Sequence, residues 1–365
     1  MKVGIDCREL RANITGIGRI LLEFLKEARR QRKDFYFILF GNEKTNFLSF
    51  PDVFENYQKI IIKERLTLWW DQIQLKNALQ QYEIDLFFSP YYKMPLLTKT
   101  KTVISIFDVT YLLVEPYVHR FKNKIYVKNF IKLAAKKAKK ILTSSNSTKE
   151  DLSKILHLPQ EKVEVVYLGV SPEFRPTYGS DKIEFVKNKY GLAKKYILYV
   201  GNSSPHKNLK RLVQAYQSLA NDLKQEYSLV LGGGEPERLG ISEGESLIFT
   251  RFIAEEDLPS LYSGAELFVF PSLYEGFGLP PLEAMACGCP VASSNMSSLP
   301  EVLGEAALFF DPYQVEEISA AICRMLEDKN LRERFRQKGL QRAKLFTSEK
   351  MTGNLYSLFE SVYGN

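Results

Sequence analysis

Residues Glu275–Val291 read EGFGLPPLEAMACGCPV, and the order of residue types in this stretch decides the fold. The apolar run before it, Leu267–Phe270 (LFVF), has the length and composition of a buried strand, and a second short apolar segment begins at Val291. Between them, Pro280 and Pro281 suit the first turn of a helix, where a missing N–H costs little, and Gly288 suits its end. The implied order is strand, glycine-bearing loop, short helix, strand, one step of a parallel sheet. The loop Glu275–Leu279 then sits on a helix N-terminus. Backbone N–H groups there carry partial positive charge, and Gly276 and Gly278 let a ligand approach the main chain closely.

Two carboxylates frame this anion-attracting turn, Glu275 in the loop and Glu283 in the helix, with seven residues between them. A ligand with phosphates at its centre and hydroxyls on both sides satisfies the whole set, and a sugar nucleotide (pyranose, diphosphate, ribose) is built that way. A lone pair of glutamates would read as an ordinary turn with a solvated acid at each end; the surrounding order of Gly, Phe, Gly, Leu, Pro, Ala, Met, Ala, Gly and Pro reverses that reading. Here the chain resembles the family-4 retaining glycosyltransferases, whose hallmark is this Glu, seven residues, Glu motif followed by an EAMA-type helix. The resemblance implies that Glu275 lies beside the donor sugar and that Glu283 binds the ribose hydroxyls. It also places the backbone at Phe277, Gly278 and Leu279 against the leaving phosphate.

Composition bounds the reading independently. A chain of 365 residues exceeds one comfortable core and suits two α/β domains. No run approaches the length of an apolar membrane span, and Met1 leads directly into a strand-like KVGID, so the expected compartment is the cytoplasm. Cys7, Cys287, Cys289 and Cys323 form no C-x-x-C pair, which argues for packed or free thiols over a zinc site or a disulfide framework. The absence of a D-x-D triplet removes one common carboxylate clamp for a metal-bound nucleotide sugar, so no metal and no cofactor beyond the donor substrate is expected.

Short β-rich runs alternate with helical patterns from end to end, which argues for parallel sheets. Candidate strands are Val3–Asp6, Phe35–Phe40, Lys59–Ile62, Leu86–Phe88, Val103–Ile106 and Ile141–Ser144. A second series starts near Tyr196 and continues through Leu229–Leu231, Leu247–Phe249, Leu267–Phe270 and Ala307–Phe309. Tyr167–Tyr178, with Gly169, Pro172 and Pro176, reads as a linker. The family resemblance implies the GT-B fold: two Rossmann-like parallel-sheet domains facing each other across a cleft. The expected boundaries are 1–172 for an acceptor-side domain and 173–347 for a nucleotide-sugar domain, with the last helix, 348–365, packing back on the first.

The second informative stretch is Tyr196–Tyr216, YILYVGNSSPHKNLKRLVQAY. A strand ends at Gly201, a polar loop follows, and Asn208 is placed to cap a helix whose apolar face carries Leu209, Leu212, Val213 and Tyr216. Lys207 is thereby held at a helix start, where a cation can neutralise a departing diphosphate as a metal does elsewhere; the plain alternative is a solvated surface lysine. Many members of the resembled family place an arginine directly after the loop glycine. This chain has Asn202 there, so one phosphate cation is missing or supplied elsewhere, with His206 and Arg251 as the candidates. Backbone near Arg251 and Phe252 is the expected reader of the nucleotide base.

Thr15–Arg19 (TGIGR) opens a helix of amphipathic pattern, and Gly16 and Gly18 would let donor phosphates or an acceptor approach. The loop lies about ten residues beyond the first strand and has Leu21 at the third glycine position, which disfavours a dinucleotide fingerprint and a nicotinamide dehydrogenase. SPYYKMPL at Ser89–Leu96 and VISIFDVTYL at Val103–Leu112 resemble the mannosyltransferase-like branch of the family, where the second segment normally carries a histidine before the aspartate. Here that residue is Phe107, so Asp108 is the nearest polar candidate on the acceptor side, with a strand-end turn cap as its alternative.

The net charge of +7 is unevenly spread: Arg120–Lys140 contains nine Lys or Arg and no acid, with Lys124, Lys128, Lys132, Lys136 and Lys140 four apart on an expected helix. A basic amphipathic face of this kind suits an anionic membrane surface; a solvated helix face is the alternative, and the adjacent Trp69 and Trp70 would add an interfacial anchor or pack inward. No nucleic-acid module is recognisable. The reading that results is a retaining, metal-independent hexosyltransferase using a nucleoside diphosphate sugar, with mannose and GDP-mannose favoured. Its acceptor would be a hydroxyl of a sugar or lipid-linked glycan in polysaccharide, lipopolysaccharide or glycolipid synthesis, at the cytoplasmic face of a membrane. Glu275, Lys207 and Asp108 would serve the reaction. Rivals are a noncatalytic sugar-nucleotide-binding protein and a sugar-nucleotide epimerase on the same fold.

Overall fold

Thirteen strands form among the described residues, and each pairs parallel with its neighbours. The computed structural model describes residues 1–12, 16–47, 56–110, 124–233, 235–241, 244 and 246–364. One sheet contains β1 (Lys2–Asp6), β2 (Tyr36–Gly41), β3 (Tyr57–Ile61), β4 (Leu86–Ser89), β5 (Lys101–Ser105), β6 (Lys140–Thr143) and β7 (Val163–Val165) in the order β3-β2-β1-β4-β5-β6-β7. The other contains β8 (Lys195–Val200), β9 (Tyr227–Gly232), β10 (Leu247–Arg251), β11 (Leu267–Phe270), β12 (Val291–Ser294) and β13 (Ala307–Phe310) in the order β10-β9-β8-β11-β12-β13. Both orders are doubly wound. β4, β9, β11 and β12 are buried along their whole length, as parallel strands covered by helices on both faces must be.

Each strand anticipated from the sequence is present, with its ends shifted by no more than two residues. β7 was not anticipated: its three residues, VEV, are too few to show a period of two. The described chain divides into two compact units, one formed by residues up to Val109, by 124–169 and by 348–364, the other mainly by Val170–Thr347.

In the first unit, the helix Gly16–Gln31 buries Leu21, Phe24, Leu25 and Ala28, the apolar stripe expected of period 3.6. The C-terminal helix Ser348–Gly364 lies against it. The Tyr356 hydroxyl donates to the Ala28 carbonyl at 2.8 Å, and the Phe359 ring meets Phe24 edge-on at 6.1 Å and Phe88 at 5.3 Å. An aromatic cluster thus fastens the last helix of the chain to the first. The helix Lys124–Lys137 is shorter than the basic run suggests: Lys140 is the first residue of β6, its amine donating to the Glu161 carbonyl at 2.7 Å, and Arg120–Asn123 lie outside the described residues. Of the paired tryptophans, Trp70 is fully buried and Trp69 exposed. Cys7, Cys287 and Cys289 are buried and Cys323 partly so, all four unpaired, and burial pushes their thiols up in pKa, so they pack as protonated side chains. Among the described residues no helix is long and apolar enough to cross a membrane.

Phe359 is fully buried and meets rings from two other elements. Phe359→Ala is expected to destabilise the first unit by about 3–5 kcal/mol, measured by urea denaturation; a loss under about 1 kcal/mol would mean the last helix is not part of that core.

Candidate active site

In the second unit the strand order reverses between β8 and β11, so their crossovers run to opposite faces of the sheet, and the loops leaving their C-terminal ends stand where doubly wound sheets bind ligands. The two loops are Gly201–Asn208 and Pro271–Gly278, and they hold Asn202, Lys207, Glu275, Phe277 and Gly278. The main chain ties them together where the Leu273 N–H donates to the His206 carbonyl at 2.7 Å.

Pro205–Lys207 form a single tight turn, and Asn208 then takes a left-handed conformation (φ 60°) before the helix Leu209–Gln217. That helix buries Leu209, Leu212, Val213 and Tyr216 as the sequence pattern requires. Asn208 stands at the capping position but its side chain does not cap the helix. Its amide instead donates to the carbonyls of Pro271 (3.1 Å) and Pro312 (2.7 Å), with its oxygen accepting from Arg211. A buried asparagine therefore clamps one loop to the other, and its short polar side chain also tolerates the backbone this corner demands.

The clamp presents Lys207 to Glu275. Their Nζ and Oε1 atoms are 2.6 Å apart, each side chain is only 13% exposed, and the ammonium lies 5.3 Å from the Phe270 ring centre. Solvent screens such a pair weakly, so removing either partner strands a charge. The Glu275 backbone is equally held. Its N–H donates to Ser297 Oγ at 2.8 Å, its carbonyl accepts from Ser297 and Ser298, and Ser298 also donates to the Phe277 carbonyl at 3.0 Å. Asn208, Ser297 and Ser298 were not identified as site residues from sequence. The available signal was the polar run Ser293–Ser298 (SSNMSS), which begins in the last two residues of the buried strand β12.

Gly278 begins the helix Leu279–Ala286 with φ 100°, and a Cβ there would lie 2.7 Å from Leu299 Cδ2, so both backbone and space demand glycine. Pro280 and Pro281 occupy the first turn as expected, and Gly288 (φ 77°) follows the end of the helix. The prolines contribute no N–H, so this terminus is poorer in donors than a generic helix start, and the main-chain N–H groups left at its first positions are those of Gly278 and Leu279. Glu283 is buried, and one of its oxygens accepts from the Tyr262 hydroxyl at 3.0 Å. Burial, reinforced by the neighbouring Lys207 charge and opposed by Glu275, pushes the His206 imidazole down to about 4, so it is neutral at pH 7 and adds no second cation.

The other candidates are placed as follows. Asn202 is exposed, and its side-chain oxygen accepts from the Ser204 N–H at 3.0 Å, shaping the loop. Arg251 and Phe252 stand at the end of β10, two strand spacings or about 10 Å from β8. Arg251 has φ 52° and pairs with Glu237 at 2.9 Å, and Phe252 is 84% exposed. Gly16, Gly18 and Asp108 belong to the first unit: Gly16 and Gly18 open the helix Gly16–Gln31, and Asp108 is exposed in the segment after β5.

Two doubly wound parallel sheets are the architecture of the GT-B glycosyltransferases, and solved structures of that class match the chain along its length. A sucrose-phosphate synthase from Thermosynechococcus elongatus has a TM-score of 0.77 at 19% identity, covering 100% of this chain and 99% of that one. HepE from Anabaena, solved in complex with UDP and glucose, also has a TM-score of 0.77 at 17% identity, covering 99% of this chain and 100% of that one. The family models described as "Glycosyl transferases group 1" and "Glycosyltransferase Family 4" match residues 181–342 and 14–174. The O-antigen chain mannosyltransferase B of Escherichia coli is 31% identical over 96% of this chain and 97% of the relative. The chain belongs to the family-4 glycosyltransferases.

A histidine whose folded pKa lies below its ordinary 6.5 contributes stability above that value, lost as pH falls toward 4. His206→Gln should therefore lose less melting temperature than the parent between pH 7 and 4.5. Equal losses in the two proteins would show that His206 is not a source of acid sensitivity.

Proposed function

We propose that the chain transfers a hexose, mannose in the favoured case, from a nucleoside diphosphate sugar, GDP-mannose, to an acceptor hydroxyl with retention of configuration, in polysaccharide or lipopolysaccharide assembly. The observation that carries this reading is the Lys207–Glu275 pair, clamped between the two loops of the strand-order reversal beside the Gly278–Leu279 amides. It is supported by the similarity to an O-antigen chain mannosyltransferase and by the match to a structure holding UDP and glucose.

In this reading the bond from the sugar's anomeric carbon to the β-phosphate breaks while the acceptor oxygen bonds to that carbon on the same face. The acceptor proton passes to the departing phosphate, so no covalent enzyme intermediate forms. Lys207 shares its charge between Glu275 and the phosphate as negative charge develops, in a site where little water screens it. The loop amides take the phosphate oxygens, Glu275 orients the sugar hydroxyls, and Glu283, steadied by Tyr262, holds the ribose. Asp108 serves the acceptor side. Charge on the leaving group is met by Lys207 and backbone dipoles, and the reaction is metal-independent.

The reading also places the enzyme against an anionic cytoplasmic membrane face through Lys128, Lys132 and Lys136, with exposed Leu66, Leu68 and Trp69 as apolar contacts. Flotation with anionic vesicles tests this; protein that stays at the bottom of the gradient rules it out.

A panel of GDP-mannose, UDP-glucose, UDP-N-acetylglucosamine and dTDP-rhamnose, scored by thermal shift and by nucleotide release with glycan acceptors, should single out one donor that both stabilises the protein and is consumed. Stabilisation without consumption would instead describe a sugar-nucleotide-binding protein. Lys207→Ala is expected to lower kcat about a hundredfold or more with a smaller change in donor affinity. Glu283→Ala should weaken nucleotide binding about tenfold or more. Turnover should be unchanged by EDTA, and its loss would overturn the metal-independent reading.

A further inference from the structure

Phe277 lies at the centre of the Glu275–Leu279 turn and is buried. Two groups grip it from opposite ends. Its carbonyl accepts from Ser298 Oγ at 3.0 Å, and its ring meets the Phe346 ring edge-on, with centroids 5.8 Å apart and planes at 73°. Ser298 stands at the start of the short helix Leu299–Leu303, and Phe346 lies just past the end of the helix Lys329–Ala343.

Arg342 joins the two grips. Its Nε donates to the Val302 carbonyl at 2.8 Å and its Nη2 to the Glu301 carbonyl at 2.6 Å, at the far end of the helix that begins after Ser298. Carbonyls at a helix C-terminus lack partners within the helix, and a cation is favoured there. The Arg342 Cζ also lies 5.1 Å from the centre of the Phe346 ring. Gly304 leaves room for this approach: its φ is 54°, and a Cβ there would lie 3.3 Å from the same Cζ. The contacts close into a ring that runs from Phe277 to Phe346, to Arg342, along the helix Leu299–Leu303 and through Ser298 back to Phe277. Leu299 of that helix also leaves no space for a side chain at Gly278.

Phe346 has a second attachment. The chain enters the main body of the second unit at Val170 and leaves it at Thr347. These two passages are joined: the Val170 N–H donates to the Phe346 carbonyl at 2.9 Å, and Val170 pairs in parallel with Thr347. The main chain of Phe346 therefore lies in the joint of entry and exit while its ring lies on the Glu275–Leu279 turn. We propose that Phe346, seated by Arg342, is a positioning residue that sets the Phe277–Leu279 main chain from this joint. Close-packed side chains transmit a displacement instead of absorbing it, so a shift at the joint moves the turn, and a group bound on the turn restrains the joint. The coupling is reciprocal, as linkage requires. Its use in catalysis rests on the transferase reading above; the grip on the turn does not.

The test follows amide hydrogen exchange by mass spectrometry on the full chain, first without nucleotide. Phe346→Leu keeps an apolar side chain and removes the ring edge, and it should speed exchange across Leu273–Leu279 about tenfold. Phe277→Leu should do the same at Val170 and across Leu345–Thr347. Phe335→Leu, which removes a buried ring about two turns before Arg342 on the same helix, is the control and should speed neither. With GDP-mannose and a glycan acceptor, Phe346→Leu should lower kcat about tenfold with a smaller change in donor KM. Arg342→Lys, which keeps the charge and loses the fork, should act in the same direction. The double variant Phe277→Leu with Phe346→Leu should be no slower than the poorer single variant, and Phe335→Leu should match the parent. Exchange across the turn unaltered by Phe346→Leu, or raised as much by Phe335→Leu, would overturn the proposal, as would a Phe346→Leu kcat equal to the parent's. Failure of the transferase reading is seen separately: the unmutated protein then responds to no donor while the exchange pattern persists.

Discussion

Parallel pairing is the constraint on which the rest of this structure depends. A parallel neighbour cannot be reached through a two-residue turn, so each pair of strands is separated by a crossover long enough to cover a face of the sheet. Covered on both faces, the strands become almost wholly apolar, and functional groups are driven to the loops at the strand ends. Where successive crossovers wind in opposite directions, between β1 and β4 and between β8 and β11, adjacent loops part and leave space for a ligand. Each unit therefore has one place where a site can form with little disturbance of its core.

The two reversals are furnished differently. At β8 and β11 a single cation–carboxylate pair, Lys207 with Glu275, is held by an asparagine clamp and two serines, beside loop amides. His206 adds no charge there, because burial and Lys207 together keep it neutral. On the proposed reading, that corner meets a group that gains negative charge. At β1 and β4 an arginine, Arg8, is already neutralised by two carboxylates, Asp6 and Asp71, and stacked on the Trp70 indole.

The sequence was most readable where local chemistry and global fold agree. The strands LFVF and YILYV, the helix of Leu209, Leu212, Val213 and Tyr216, and the Pro280, Pro281 and Gly288 punctuation all follow from short-range rules, and all are present. Two readings failed for a common reason. Asn208 has the residue type and position of a cap, yet carbonyls from Pro271 and Pro312 take its amide. Lys140 continues a four-residue spacing of lysines, yet it opens β6, where pairing with β5 outweighs the helical pattern. In each case a partner distant in sequence outweighed the local preference.

The same division separates what the residues alone determined from what required the assembled chain. The alternating apolar periods and the glycine and proline punctuation determined two parallel-sheet units, and the Glu275 to Glu283 spacing pointed to the loop and helix after β11, because these signals lie within a few residues of one another. The contact of Lys207 with Glu275, the serine ties on the Glu275 loop and the π-turn that brings Asp71 and Trp70 to Arg8 were decided only in three dimensions. Such contacts join residues roughly twenty to seventy positions apart, and their energy exists only once the sheets have brought the loops together.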